Sequence, residues 1–183
     1  MAVRTYVAFV RAVMIGREGL HRPVLLELFE RAGATAARSY ISTGNVSFDV
    51  EPDHLDQVVG DVEIGLERLL GRPTPVFVRS LDCLRELVER EPFADAPHPD
   101  PRARLVTMTR HQVPDGFELP IVSPDGDYHV FAVDGGETFS ITVDTGGRIR
   151  DPGGLIERTV DQPVTTRAWG TITRIVRHLD ETG

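Results

Sequence analysis

The chain has 183 residues, 40% of them hydrophobic, and a net charge of -8. That length suits one domain or two small packed halves. The acidic balance argues against non-specific nucleic-acid binding, which depends on basic side chains neutralising phosphates. All 20 basic residues are arginine, which excludes Schiff-base chemistry on lysine and the phosphate-binding loop that ends in Gly-Lys-Ser/Thr.

The first predicted element is a strand at Thr5–Val10, an unbroken run of apolar, β-branched and aromatic residues. Arg11–Gly19 is a loop. Pro23 then opens a helix, where a missing N–H costs least, and Leu25, Leu28, Phe29 and Ala32 form its buried stripe before Gly33 ends it. Ala37–Ser42 and Val46–Val50 are predicted as two strands around a Thr43-Gly44-Asn45 turn. Pro52 starts a second helix with a stripe from Leu55 to Leu69, stopped by Gly71. Thr74–Val78 is predicted as a fourth strand, placed at a sheet edge by Pro73 and Pro75. The order βαββαβ is that of a ferredoxin-like unit spanning residues 1–80.

Residues 81–183 are predicted as a second α+β half packed with the first as one globular unit. Ser80 or Asp82 caps a helix carrying Leu84, Leu87 and Val88, and a proline-rich loop, Pro92–Pro101, follows. Leu105–Thr109 is a strand, and Tyr128–Val133 with Thr138–Val143 form a hairpin. A helix over Asp151–Val160 is burdened by Gly153 and Gly154. Thr165-Thr166-Arg167-Ala168-Trp169 opens the last helix, with Trp169, Ile172, Val176 and Leu179 on its apolar face. Phe9-Val10-Arg11-Ala12 is echoed by Phe77-Val78-Arg79-Ser80. The echo reads either as a duplicated βαβ unit or as chance.

Cys83 is the single cysteine, so no internal disulfide forms and a reducing, cytoplasmic setting fits. Residues 1–20 carry no long apolar segment and no small-residue cleavage site, so neither a signal peptide nor a membrane span is expected. The six histidines are scattered, which gives no metal site. Asp125-Gly126-Asp127 is too short for a calcium loop. Gly146-Gly147 and Gly153-Gly154 do not build a dinucleotide-binding turn, so no cofactor is expected. Phe48 alone does not make the aromatic platform of an RNA-binding sheet.

Two groups of residues remain as candidate sites. In βαββαβ topology the end of the first strand and the turn between the second and third share one sheet edge. That places Arg11 beside Tyr40, Thr43, Gly44 and Asn45, as an anion or polar-ligand pocket or as a braced turn. Thr165, Thr166, Arg167 and Trp169 at the start of the last helix form either an anion site or a helix cap with a surface arginine and a core tryptophan.

Tyr6–Gly16, Arg38–Phe48 and Thr165–Ile172 together resemble the bacterial family catalogued as domain of unknown function 1697. Its pattern has an Arg-Gly loop after the first strand, then R-[TS]-Y-x-x-S-G-N, and ends in T-x-R-N-W-N-T. Arg11, Tyr40, Gly44, Asn45, Thr165, Arg167 and Trp169 fall on matching positions. Ala12, Met14, Arg17, Thr43, Ala168 and Gly170 depart from it. The resemblance implies an α+β fold of two related halves, and no activity comes with it. The expectation from residues and resemblance together is a monomeric or homodimeric protein that binds or senses a small anionic or polar ligand. The alternatives are a transferase or hydrolase on a phosphorylated or nucleotide-like substrate, and an interaction module using a sheet edge.

Overall fold

The structure is a computed structural model that describes residues 2–146 and 151–182. It divides into two compact units, Met1–Cys83 and Leu84–Gly183. The fold is α+β, built on two antiparallel sheets. Among the described residues no helix is long and apolar enough to cross a membrane.

In the first unit, β1 (Arg4–Val10), β2 (Thr35–Tyr40), β3 (Asn45–Val50) and β4 (Val76–Ser80) are ordered β2-β3-β1-β4, with every neighbour antiparallel. This order is compatible with the ferredoxin-like unit expected from the helix and strand periods. Helices α1 (Arg22–Arg31) and α2 (Leu55–Leu70) cover one face. Pro23 in the first turn of α1 and the left-handed Gly71 after α2 set the helix ends, as the sequence predicts. Leu25 and Phe29 of α1 and Val58, Val62 and Leu66 of α2 share a core with Ala8, Val10 and Phe48. Val7 and Phe9, on the opposite face of β1, are also fully buried. Burial on both faces explains why β1 reads as a continuous apolar run rather than an alternating one.

Several boundaries differ from the sequence prediction, and Pro52–His54 forms a 3-10 turn ahead of α2 rather than its first turn. Strand β2 begins at Thr35 and carries a bulge before Arg38. The bulge absorbs Ala36, whose φ is 51°. Strand β3 takes in Asn45. Strand β4 starts after Pro75, because the two prolines withhold the N–H groups that a ladder at Thr74 would need. It does lie at the sheet edge. Helix α3 (Leu81–Glu89) follows directly, and Ser80 rather than Asp82 caps it, its Oγ accepting from the Cys83 N–H at 3.1 Å.

In the second unit, β5 (Ala103–Met108), β6 (Ile121–Val122), β7 (Tyr128–Asp134), β8 (Glu137–Thr142) and β9 (Thr165–Ala168) are ordered β6-β7-β8-β5-β9. Apart from the short β6, this repeats the first sheet: β7, β8, β5 and β9 stand where β2, β3, β1 and β4 stand. Helix α4 (Gly153–Val160) corresponds in chain order to α2, and α5 (Trp169–Thr182) to α3. The segment 109–127, with β6, takes the place of α1. The register repeats as well. The Val10 N–H donates to Gly44 O at 2.8 Å, and the Thr109 N–H donates to Gly136 O at 2.9 Å. Counting from the Phe9–Phe77 and Met108–Thr165 pairs, Arg79 and Arg167 occupy the same register. Each donates from Nη1 to the preceding carbonyl, at 2.9 and 2.8 Å.

The Phe-Val-Arg echo falls elsewhere. Phe9 and Phe77 are direct partners in one antiparallel pair, so the echo links two strands of one sheet and the correspondence between units lies at other positions. The structure also corrects the last segment. Thr165–Ala168 is an edge strand paired with β5, not the opening of a helix. The helix over Asp151–Val160 begins at Gly153. A Cβ there would sit 2.6 Å from Thr166 Oγ1, so the glycine that weakens the helical pattern is required by packing. Gly147 lies outside the described residues.

Candidate functional site

The hairpin edge of the first unit gathers the expected residues. Arg11 follows β1 half-buried, and its N–H donates to Pro75 O at 3.0 Å. Asn45 pairs with Phe9 on one side and Tyr40 on the other, and Thr43 and Gly44 form the turn. Asn45 is fully buried; its Nδ2 donates to Thr43 Oγ1 at 3.0 Å and to Tyr40 O at 3.3 Å, closing the turn. Tyr40 OH lies 3.1 Å from Ser47 Oγ.

Gly44 has φ 69°, and a Cβ on it would lie 2.4 Å from Val13 Cγ2 and 3.0 Å from Val10 Cβ. The loop after β1 therefore folds down onto the turn. The Ile15 N–H donates to Ser42 O at 2.8 Å, and Arg72 Nη2 ties Ala12 O at 2.9 Å. Two non-glycine residues at this edge, Ala12 (φ 52°) and Ile41 (φ 49°), are left-handed. The Gly-Asn pair thus serves turn closure and close packing, with Arg11 and Thr43 at its rim.

The second predicted group is divided by the pleat of β9. Successive strand residues point to opposite faces. Thr166 shares a face with Thr107, their hydroxyls 3.0 Å apart, close to Gly153 of α4. Thr165 and Arg167 point the other way. Arg167 is buried and donates from Nη1 to Thr165 Oγ1 at 2.8 Å. Burial pushes its guanidinium from the ordinary arginine value down to about 10.

Trp169 is the first residue of α5 and is half-buried. Its ring lies 5.4 Å from that of Phe93. Phe93 is buried and packs edge-on against Phe131 and Phe139, at 5.7 Å from each. With Val88, Glu91, Ala94, Arg104 and Thr173 these two rings line an open cleft of about 360 Å³. Arg104 on β5 and Glu91 just past α3 are exposed, and among the described residues neither side chain has a hydrogen bond or ion pair.

Sequence reasoning found Trp169 but missed its neighbours. Phe93 stood in a proline-rich segment read only as a loop. Arg104 fell outside a strand whose start was set two residues late and which in fact begins at Ala103. Among the described residues no three of His, Cys, Asp and Glu are grouped to hold a metal ion.

Two antiparallel sheets of matching strand order, each carrying helices, define a protein of the α+β class. The chain belongs to the family described as protein of unknown function DUF1697, whose profile matches residues 3–139. The matched stretch contains the Arg11–Asn45 edge and stops before β9 and Trp169. The chain is similar in fold to a conserved bacterial protein from Streptococcus pneumoniae, with a TM-score of 0.66 and 16% sequence identity over 98% of this chain and 99% of that one. At that identity the likeness is one of fold alone. No curated protein matches the sequence.

Proposed function

We propose that the chain is a small-ligand binding protein whose second unit takes, in the Trp169 cleft, a ligand with an anionic group and a flat apolar part. The carrying observation is a half-exposed tryptophan, stiffened from behind by Phe93, beside an arginine with no side-chain partner among the described residues. Such a wall offers stacking area at low entropic cost, and a guanidinium fixes an anion with directed N–H groups. The volume of about 360 Å³ stands at the small end of the ~300–1,000 Å³ usual for ligand pockets. The lining supplies binding chemistry rather than a nucleophile beside a base, which favours a binding or regulatory role over a transferase or hydrolase. At the Arg11 edge, Gly44 and Asn45 are committed to the turn, and we assign that edge a bracing role.

Trp169 is the only tryptophan, so its emission reports this cleft directly. The test is a thermal-shift and fluorescence screen against nucleotides, phosphosugars and acyl-CoAs. A ligand of the native state raises the melting temperature by linkage, and one seated here also moves Trp169 emission. Arg104→Ala is expected to remove both responses while far-UV circular dichroism stays unchanged. A screen in which no compound moves either signal, or in which the Arg104→Ala response matches the parent chain, defeats the proposal.

A further inference from the structure

The cleft carries two opposite charges that do not meet. Arg104 lies on β5, and Glu91 follows the C-terminal end of α3. No ion pair joins them, so their charged atoms stand more than 4.0 Å apart while lining the same cavity. Among the described residues the Trp169 indole N–H also has no hydrogen-bond acceptor. An anion alone would use Arg104 and leave Glu91 facing it with like charge. A cation alone would have the opposite fault.

The backbone at Glu91 adds a second observation. Glu91 has φ 48°, and its N–H closes the end of α3 on Val88 O at 3.2 Å. Left-handed geometry just past a helix is where glycine is the usual residue, because an L side chain is strained there. The chain keeps a carboxylate at a position where glycine would be cheaper. The Ala94 N–H then donates to Glu91 O at 2.8 Å, which fixes the turn leading to Phe93 and the cleft wall.

Building on the binding role assigned to this cleft, we infer that its ligand is a zwitterion: an α-amino acid with an apolar, preferably aromatic, side chain. The carboxylate pairs with Arg104, the ammonium with Glu91, and the side chain lies against Trp169, Phe93 and Val88. Opposite charges at the two ends reject ligands that carry only one of them, because the unmatched protein charge is then desolvated without a partner.

Isothermal titration of the full chain with three probes tests this: L-phenylalanine, 3-phenylpropionate without the ammonium, and phenethylamine without the carboxylate. L-phenylalanine is expected to bind and to move Trp169 emission, each truncated probe binding at least about tenfold more weakly. In Glu91→Gln the advantage of L-phenylalanine over 3-phenylpropionate should fall to within about twofold, as expected when a charge-assisted contact becomes a neutral one. Equal binding of L-phenylalanine and 3-phenylpropionate by the parent chain overturns the zwitterion and leaves the anion cleft standing. So does silence from all three probes when a nucleotide or acyl-CoA moves Trp169 emission. Silence from every compound overturns both.

Discussion

Replacing Gly44 by alanine would put a methyl group where the loop after β1 crosses the hairpin. Two costs follow. At φ 69° an L-residue gives up ~1–2 kcal/mol relative to its right-handed conformations. The new Cβ would also lie 2.4 Å from Val13 Cγ2 and 3.0 Å from Val10 Cβ. Overpacking of that kind costs ~1–3 kcal/mol once neighbours shift. Against this, alanine restricts the unfolded chain and returns ~0.4–1 kcal/mol. The balance is a loss of about 1–4.5 kcal/mol, as these contributions add. Urea unfolding followed by far-UV circular dichroism measures it, with a midpoint lowered by ~0.5–2 M for an m-value of ~2 kcal/mol/M. Trimming the closer neighbour supplies the control: Val13→Ala in the Gly44→Ala background should recover part of the loss, with a coupling of ~0.5–3 kcal/mol. A loss below ~0.5 kcal/mol for Gly44→Ala, the level of an ordinary surface change, would refute the close crossing of loop and turn.

Ala12, left-handed at φ 52°, is the converse case. Ala12→Gly is expected to stabilise by ~0.5–1 kcal/mol, the relieved strain exceeding the added unfolded-state entropy, and a lower urea midpoint would contradict that. Trp169→Ala should cost ~1.5–3 kcal/mol because the ring is only half-buried. Its emission should fall between core-like and water-like values, and a fully buried spectrum would close the cleft. For Arg167, the folded guanidinium lies at about 10, below its ordinary value, so between those two values the unfolded chain binds more protons and stability rises with pH. Arg167→Met removes this burial cost together with the hydrogen bonds to Thr165 and Thr166, so its relative advantage over the parent chain is expected to be greatest at pH 8. That advantage should shrink as pH passes about 10, since the parent arginine then sheds the charge that cost it stability. A difference between the two chains that is constant from pH 8 to 11 would refute the burial cost.

The periodic elements were legible because a buried stripe on a helix leaves a trace at 3.6 residues, as with Leu25 and Phe29 or Val58, Val62 and Leu66. The Arg11–Asn45 edge was legible because strand order follows from chain order in a βαββαβ unit, and Phe9 does pair with Asn45. Strand β9 was hidden because four residues, Thr165–Ala168, are too few to display an alternation, and the apolar period of α5 begins at once. Strand β6 has two residues and no pattern at all. The cleft was least visible: Val88, Phe93, Arg104 and Trp169 come from four separate segments, and only the pairing of β5 with β8 and β9 gathers the unit around them.

The repeated register makes the difference between the units specific. Arg79 and Arg167 are equivalent, and each stands two residues before a helix, α3 at Leu81 and α5 at Trp169. In the first unit the helix begins with a buried leucine, and Arg79 is half-exposed. In the second the arginine is buried and the aromatic residue is the one left half-open. Between the units the guanidinium and the first side chain of the following helix have exchanged exposure at corresponding positions. Burial of Arg167 costs stability, and the exposed face of Trp169 forgoes the gain of full burial. A unit selected for stability alone would follow the first pattern. The second keeps both costs, and Trp169 lines the same cleft as Arg104. On the same scaffold, α3 starts with a buried leucine and α5 with a half-buried tryptophan that lines the cleft.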